Sequence, residues 1–199
     1  MPQHGTLIRT TDATLIDRIA TSGHDWLMLD GEHPSIGLPE MAMMLTAVAG
    51  RVPCYCRVRA LDSALISHAL NAGAAGVIIP NVDTVAQAEE SVRCVRISRW
   101  PKASVVVQAE SAEAVRNIAG IVATPGIEWV LIGPYDLTRS LGIAEQLEHP
   151  AFHDAVGQIE SACRAARVPV GIFAMTPERM QPYEARGFDW LVTGIDRPA

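Results

Sequence analysis

Apolar runs of strand length recur along the chain, and between them lie longer stretches in which apolar residues return every three or four positions. The runs are Gly5 to Ile8, Asp25 to Asp30, Val52 to Val58, Ala75 to Pro80, Ser104 to Ala109, Trp129 to Gly133, Pro169 to Ala174 and Trp190 to Gly194. The helical stretches are Asp12 to Ser22, Leu38 to Ala49, Asp62 to Asn71, Val85 to Val95, Ala112 to Val122, Phe152 to Arg167 and Pro177 to Arg186, with a short helical turn after Asp136. Strands this rich in Val, Ile and Leu suit a parallel sheet covered by helices. Eight βα units predict an α/β fold closed into a (β/α)8 TIM barrel. The alternative, an open dinucleotide-binding sheet, needs a glycine-rich turn after its first strand, and Arg9-Thr10-Thr11-Asp12 is not one.

A chain of 199 residues, 49% of them hydrophobic, can bury one core and is short for two, so residues 1–199 are expected to form a single barrel domain. The chain ends a few residues after the eighth strand, where such barrels add a closing helix. The apolar flank expected there calls for a second copy of the chain, hence a homo-oligomer. The formal charge of −6, with only 16 scattered Lys and Arg, argues against a nucleic-acid partner. No apolar stretch reaches eighteen residues and Met1 to Thr10 has no signal-peptide pattern, so no membrane is expected and the cytoplasm is the expected location. Cys54 and Cys56 share one face of a strand and read as small core hydrophobes, because Cys94 and Cys163 supply no second pair at zinc-site spacing.

In a barrel of this kind the chemistry lies at the carboxyl ends of the strands. Strand two ends in Asp30-Gly31-Glu32-His33-Pro34, strand three in Arg57-Val58-Arg59, strand five in Gln108-Ala109-Glu110 and strand six in Gly133-Pro134-Tyr135-Asp136. Glu110 and Asp136 stand at neighbouring strand ends with no Lys or Arg expected to neutralise them. Such a pair either shares a proton or holds a hard divalent cation, and the cation is preferred. Taken singly, each acid could instead favour a helix N-terminus. Arg57 alternates with Cys56 and Val58, so it points into the mouth as a fork for a carboxylate, with Arg59 left as a surface charge. His33, on a loop tightened by Gly31 and Pro34, is the candidate base. A divalent ion, an Arg and a base together suit proton and carbon–carbon bond chemistry beside the ketone of a 2-oxo acid. Lys102, the sole lysine, precedes strand five at the opposite rim, so a Schiff base has no nucleophile.

The segments Asp25-Trp26-Leu27-Met28-Leu29-Asp30-Gly31-Glu32-His33, Arg57 with Leu70-Asn71-Ala72-Gly73-Ala74, Gln108-Ala109-Glu110-Ser111 and Ile132-Gly133-Pro134-Tyr135-Asp136-Leu137 resemble the HpcH/HpaI family of class II 2-oxo acid aldolases. The resemblance implies a barrel that binds Mg2+ or Mn2+ and cleaves 4-hydroxy-2-oxo acids to pyruvate and an aldehyde. It implies Glu110 and Asp136 as metal ligands, Arg57 as the residue that holds the pyruvate carboxylate and His33 as the catalytic histidine. It further implies that Gln108 and the backbone near Tyr135 and Asp136 bind substrate, and that Glu32 touches metal-bound water. Three departures stand out. Asn71 replaces an Asp expected to partner the histidine, a long Gly-x-Arg-Gly loop before strand five is missing, and so is the last helix. A barrel that binds a metal and a 2-oxo acid with weak or no turnover is therefore the alternative, with condensation chemistry ranked third.

Overall fold

The computed structural model describes residues 1–199 and shows a closed barrel in which eight parallel strands pair in sequence order. The strands are β1 (Gln3–Ile8), β2 (Trp26–Asp30), β3 (Cys54–Arg57), β4 (Gly76–Ile79), β5 (Ser104–Ala109), β6 (Trp129–Ile132), β7 (Val170–Ala174) and β8 (Trp190–Ile195). The helices are α1 (Ala13–Ala20), α2 (Leu38–Val48), α3 (Ser63–Asn71), α4 (Val85–Arg96), α5 (Ala112–Val122), α6 (Pro134–Ser140), α7 (Pro150–Ala166) and α8 (Pro177–Ala185). Every expected strand and helix is present to within a few residues, and β1 closes the ring on β8. Two helices, α6 and α7, lie between β6 and β7, and none follows β8. Only residues 97–103 separate α4 from β5, so the connection there is short. No helix is long and apolar enough to cross a membrane.

Local chemistry starts the helices where the apolar period begins. Asp12 and Asp62 accept from backbone N–H groups of the first turns of α1 and α3, Thr84 and Gln87 form a capping box on α4, and Ser111 caps α5. The outward faces of the strands pack on the helices in one large core, which includes Cys54, Cys56, Cys94 and Cys163. The expected reading of the Cys54–Cys56 pair as core residues therefore holds.

The barrel interior is layered by the two-residue period of the strands. At the amino ends, Trp26, Tyr55, Trp129 and Trp190 fill the bore. Trp129 stacks on Trp190 with ring centroids 4.7 Å apart, and Trp26 meets Trp129 edge-on at 5.3 Å. Gly5 makes room for this layer, since a Cβ there would lie 2.8 Å from the Trp26 ring. Above it sit Leu7, Met28, Ile78, Val106, Leu131 and Val192. The next inward positions, at the carboxyl ends, are Asp30, Arg57 and Gln108, and Arg9 and Glu110 follow one step beyond β1 and β5.

Candidate active site

The mouth opens into a cavity of about 320 Å3 whose lining includes Arg9, Asp30, Glu32, His33, Arg57, Gln108, Tyr135 and Asp136. Seven of the eight residues expected at the site are thus gathered at one end of the barrel, with Glu110 beneath the wall formed by Gly133. Asn71 is the exception and corrects the expectation. It ends α3, which runs from the mouth back to the amino end of β4, and its carboxamide oxygen accepts from Trp100 Nε1 at 3.2 Å. Within one chain it cannot meet His33, whose Nδ1 lies 2.8 Å from Ser35 Oγ.

Glu110 is buried, 3% exposed. Its Oε1 accepts from the Asn81 N–H at 2.9 Å and its Oε2 accepts from Gln108 Nε2. Ser111, not Glu110, caps α5, so the Glu110 side chain is free to turn inward. Burial raises its pKa to about 7, the Asn81 amide opposes the shift, and the charges of Glu32 and Asp136 add to it. The local backbone is built around this carboxylate. A Cβ at Gly133 would fall 2.6 Å from Glu110 Oε2 and 2.7 Å from Gln108 Nε2, so only glycine lets β6 pass so close. Asn81, in the left-handed region at φ +54, turns its N–H onto Glu110.

Asp136 lies in the first turn of α6, which begins at Pro134 with Gly133 as its cap, so Asp136 is not the cap. The expectation that no basic residue neutralises it is also corrected. On this helix Arg139 stands three residues on, and its Nη1 donates to Asp136 Oδ1 at 2.6 Å. Both side chains face solvent, at 71% and 48% exposed, so this is a solvent-screened surface pair.

Arg57 meets protein carboxylates, as a buried guanidinium must. Its Nε and Nη2 donate to Asp30 Oδ1 at 2.9 and 2.6 Å, and its Nη1 is 2.9 Å from Glu32 Oε2. The second oxygen of Asp30 accepts from Arg9 Nε at 2.7 Å. Asp30 is therefore a fully buried anion clasped by two guanidiniums. Glu32 has a raised pKa, chiefly through burial, with Arg57 opposing and Asp30 and Asp136 reinforcing. Arg59 is exposed and donates to the Ile36 carbonyl, as expected of a surface charge. The residue overlooked in the sequence is Arg9. It follows inward Leu7 by two positions, and that parity, used to place Arg57, was the available signal.

The chemistry of the donor set fits a hard divalent cation. Glu110 and Asp136 bring carboxylate oxygens, Gln108 Oε1 is a buried oxygen with no hydrogen-bond donor on the protein, and Asp30, Glu32, Glu110 and Asp136 outnumber Arg9 and Arg57 around the cavity. Burial first, and the charges of neighbouring acids after it, favour the protonated form of Glu110.

Residues 3–198 match the family model described as HpcH/HpaI aldolase/citrate lyase. A hydroxypyruvate/pyruvate aldolase from Chromohalobacter salexigens is 32% identical, over 89% of this chain and 81% of that protein. A 4-hydroxy-2-oxovalerate aldolase from Rhodococcus jostii is 31% identical over 98% and 85%. The crystal structure of an HpcH/HpaI aldolase/citrate lyase family protein from Burkholderia cenocepacia superposes with a TM-score of 0.91 at 28% identity, covering 98% of this chain and 88% of that one. With its barrel and nearly its whole length matched, the chain belongs to the HpcH/HpaI aldolase/citrate lyase family.

Proposed function

We propose that the protein is a divalent-metal-dependent carbon–carbon lyase that cleaves 4-hydroxy-2-oxo acids to pyruvate and an aldehyde, with Mg2+ or Mn2+ as its ion. The observation that carries this reading is the buried carboxylate Glu110, set in one charged mouth with Asp136 and with Arg57, which is held rigid by Asp30 and Glu32. The aldolase names of the relatives point the same way.

Glu110 and Asp136 would hold the ion, with Gln108 Oε1 turned toward the same space. When bound, the ion supplies positive charge beside the substrate ketone and so lowers the cost of placing negative charge there. Arg57 orients the carboxylate of the 2-oxo acid, and its grip on Asp30 and Glu32 means that little side-chain freedom is lost on binding. The amides of Tyr135 and Asp136 lie in the first turn of α6, where no helix carbonyl stands behind them, and can donate to the same carboxylate.

His33 takes the proton from the 4-hydroxyl on Nε2, in the tautomer whose Nδ1–H donates to Ser35 Oγ. As the C4–O bond becomes a carbonyl, the C3–C4 bond breaks and its electron pair stays with the three-carbon fragment, whose C3 then takes a proton to give pyruvate.

The test is exchange of the pyruvate methyl protons in deuterated water, which needs no knowledge of the aldehyde. With Mn2+ the protein is expected to exchange them, and Glu110→Gln to lose the exchange. Exchange that is absent, or equal in both proteins, overturns the lyase reading. Metal-dependent binding of oxalate without exchange would leave a ligand-binding barrel in its place.

A further inference from the structure

Glu110 is steadied from the neighbouring strand of the ring. β4 leads into residues 80–84, and the N–H that reaches Glu110 Oε1, at 2.9 Å, belongs to Asn81 in this loop. Asn81 holds a φ of +54, a left-handed conformation that costs energy for any residue with a side chain. It is exposed, so packing of its own side chain does not keep it there. Val82 anchors the loop in the core at 1% exposure, and the next residue, Asp83, ties it down on the far side.

Asp83 is gripped at three places. Gln87 Oε1 accepts from its N–H at 2.9 Å, its carbonyl accepts from Asn117 Nδ2 at 2.7 Å, and its Oδ1 accepts from Ser111 Oγ. The first two bonds reach side chains further along α4 and α5. The third differs, because Ser111 is the residue after Glu110. It closes a circuit that leaves Glu110 through one peptide bond, crosses from Ser111 to Asp83, returns along the chain to Asn81 and ends on Glu110 Oε1. Ser111 Oγ is itself fixed, since it accepts from the Ala114 N–H at 2.9 Å as the cap of α5. Its one proton goes to a carboxylate, the stronger kind of hydroxyl hydrogen bond.

A carboxylate offers about four lone-pair sites. On Glu110 one is met by the Asn81 amide and one by Gln108 Nε2, and these donors set where the others face. If Asn81 moved, Glu110 could turn, and its ordering would be a cost at the moment of ion binding.

We infer that Asp83 is a positioning residue, which through Ser111 keeps the Asn81 amide on Glu110 and so presets the carboxylate that receives the ion. The consequence for the ion rests on the metal-dependent function proposed above. The hold on Asn81 does not.

The experiment compares Asp83→Ala with Asp83→Asn. Both remove the charge, but the Asn carboxamide oxygen can still accept from Ser111, so their difference isolates the hydrogen bond. In the metal-free protein, amide hydrogen exchange at Asn81 should be about tenfold or more faster in Asp83→Ala than in wild type, and within about threefold of wild type in Asp83→Asn. Mn2+ affinity, by calorimetry, should fall about tenfold or more in Asp83→Ala and no more than about threefold in Asp83→Asn. Ser111→Ala cuts the same bond from its other end, so its loss of Mn2+ affinity should not add to that of Asp83→Ala in the double variant.

Equal losses of Mn2+ affinity in Asp83→Ala and Asp83→Asn would make Asp83 a mere source of negative charge and overturn the inference. Unchanged Asn81 exchange in Asp83→Ala would do the same, as would a lowered Tm with Mn2+ affinity intact, the mark of a purely structural residue. If Glu110→Gln leaves Mn2+ affinity untouched, the ion site proposed above fails, and Asn81 exchange alone then decides whether Asp83 holds the amide on Glu110.

Discussion

At the amino ends of the strands the barrel is plugged by Trp26, Tyr55, Trp129 and Trp190, while two and four residues further along the same strands the inward positions carry Asp30, Arg57 and Gly133. The backbone is the same at both ends, and so is the alternation. Only the side chains differ, and they divide stability from chemistry. The aromatic floor removes apolar surface from water and interlocks edge to face, which favours folding. The mouth does the reverse with Glu110, burying a carboxylate that is ionised only at a cost. Substitutions at the floor should therefore lower stability with little effect on the site, and substitutions at the mouth should change ligand chemistry with little loss of stability.

The largest expected effect is at the floor. Trp129→Ala removes a fully enclosed ring stacked on Trp190 and should cost about 3–5 kcal/mol in denaturant unfolding. A loss below about 1 kcal/mol would mean that the floor is not an energetic core.

Glu110→Gln should act in the opposite sense. The folded protein holds the Glu110 pKa near 7 against a reference of 4.5, so it takes up a proton on folding between those values. The metal-free wild type should thus lose stability as pH rises from about 4.5 to 7, by on the order of 3 kcal/mol, and change little from this group above that. The variant should lack this slope and be the more stable protein at pH 8, while binding Mn2+ at least about 100-fold more weakly. Parallel pH curves for the two proteins would contradict the account.

Gly133→Ala sharpens the contrast further, because its Cβ would press on Glu110 Oε2. Mn2+ affinity should fall by roughly 10- to 100-fold, read by calorimetry, as for other residues that position a ligand. The smallest effect belongs to Arg139→Ala. Its pair with Asp136 is mostly exposed, so stability should change by less than about 1 kcal/mol and Mn2+ affinity should rise about threefold as Asp136 is released.

Much of this contrast is legible residue by residue. Parity along β3 is enough to send Arg57 inward and Cys54 and Cys56 outward, and parity along β5 does the same for Gln108 and Glu110. Element order alone places Asn71 at the far rim, because a helix that leaves the mouth ends at the other side of the barrel. The family pattern pointed to a partnership with His33 that this order forbids within one chain. The Asp136–Arg139 pair was hidden because α6 begins at Pro134, before Asp136 and not after it, which puts the two side chains on one face of a helix.

What the sequence by itself determined is the set of elements and the inward or outward sense of each side chain, since both follow from periods of two and 3.6 that any stretch of chain carries locally. Only the tertiary structure decided how the charges at the mouth are shared. Arg9 and Asp30 lie 21 residues apart and Arg57 another 27 away, and they meet because ring closure sets β1, β2 and β3 side by side. Burial then makes each unpaired charge costly, so every acid there must find a guanidinium, a proton or an ion, and which one it finds depends on distances that no local period encodes.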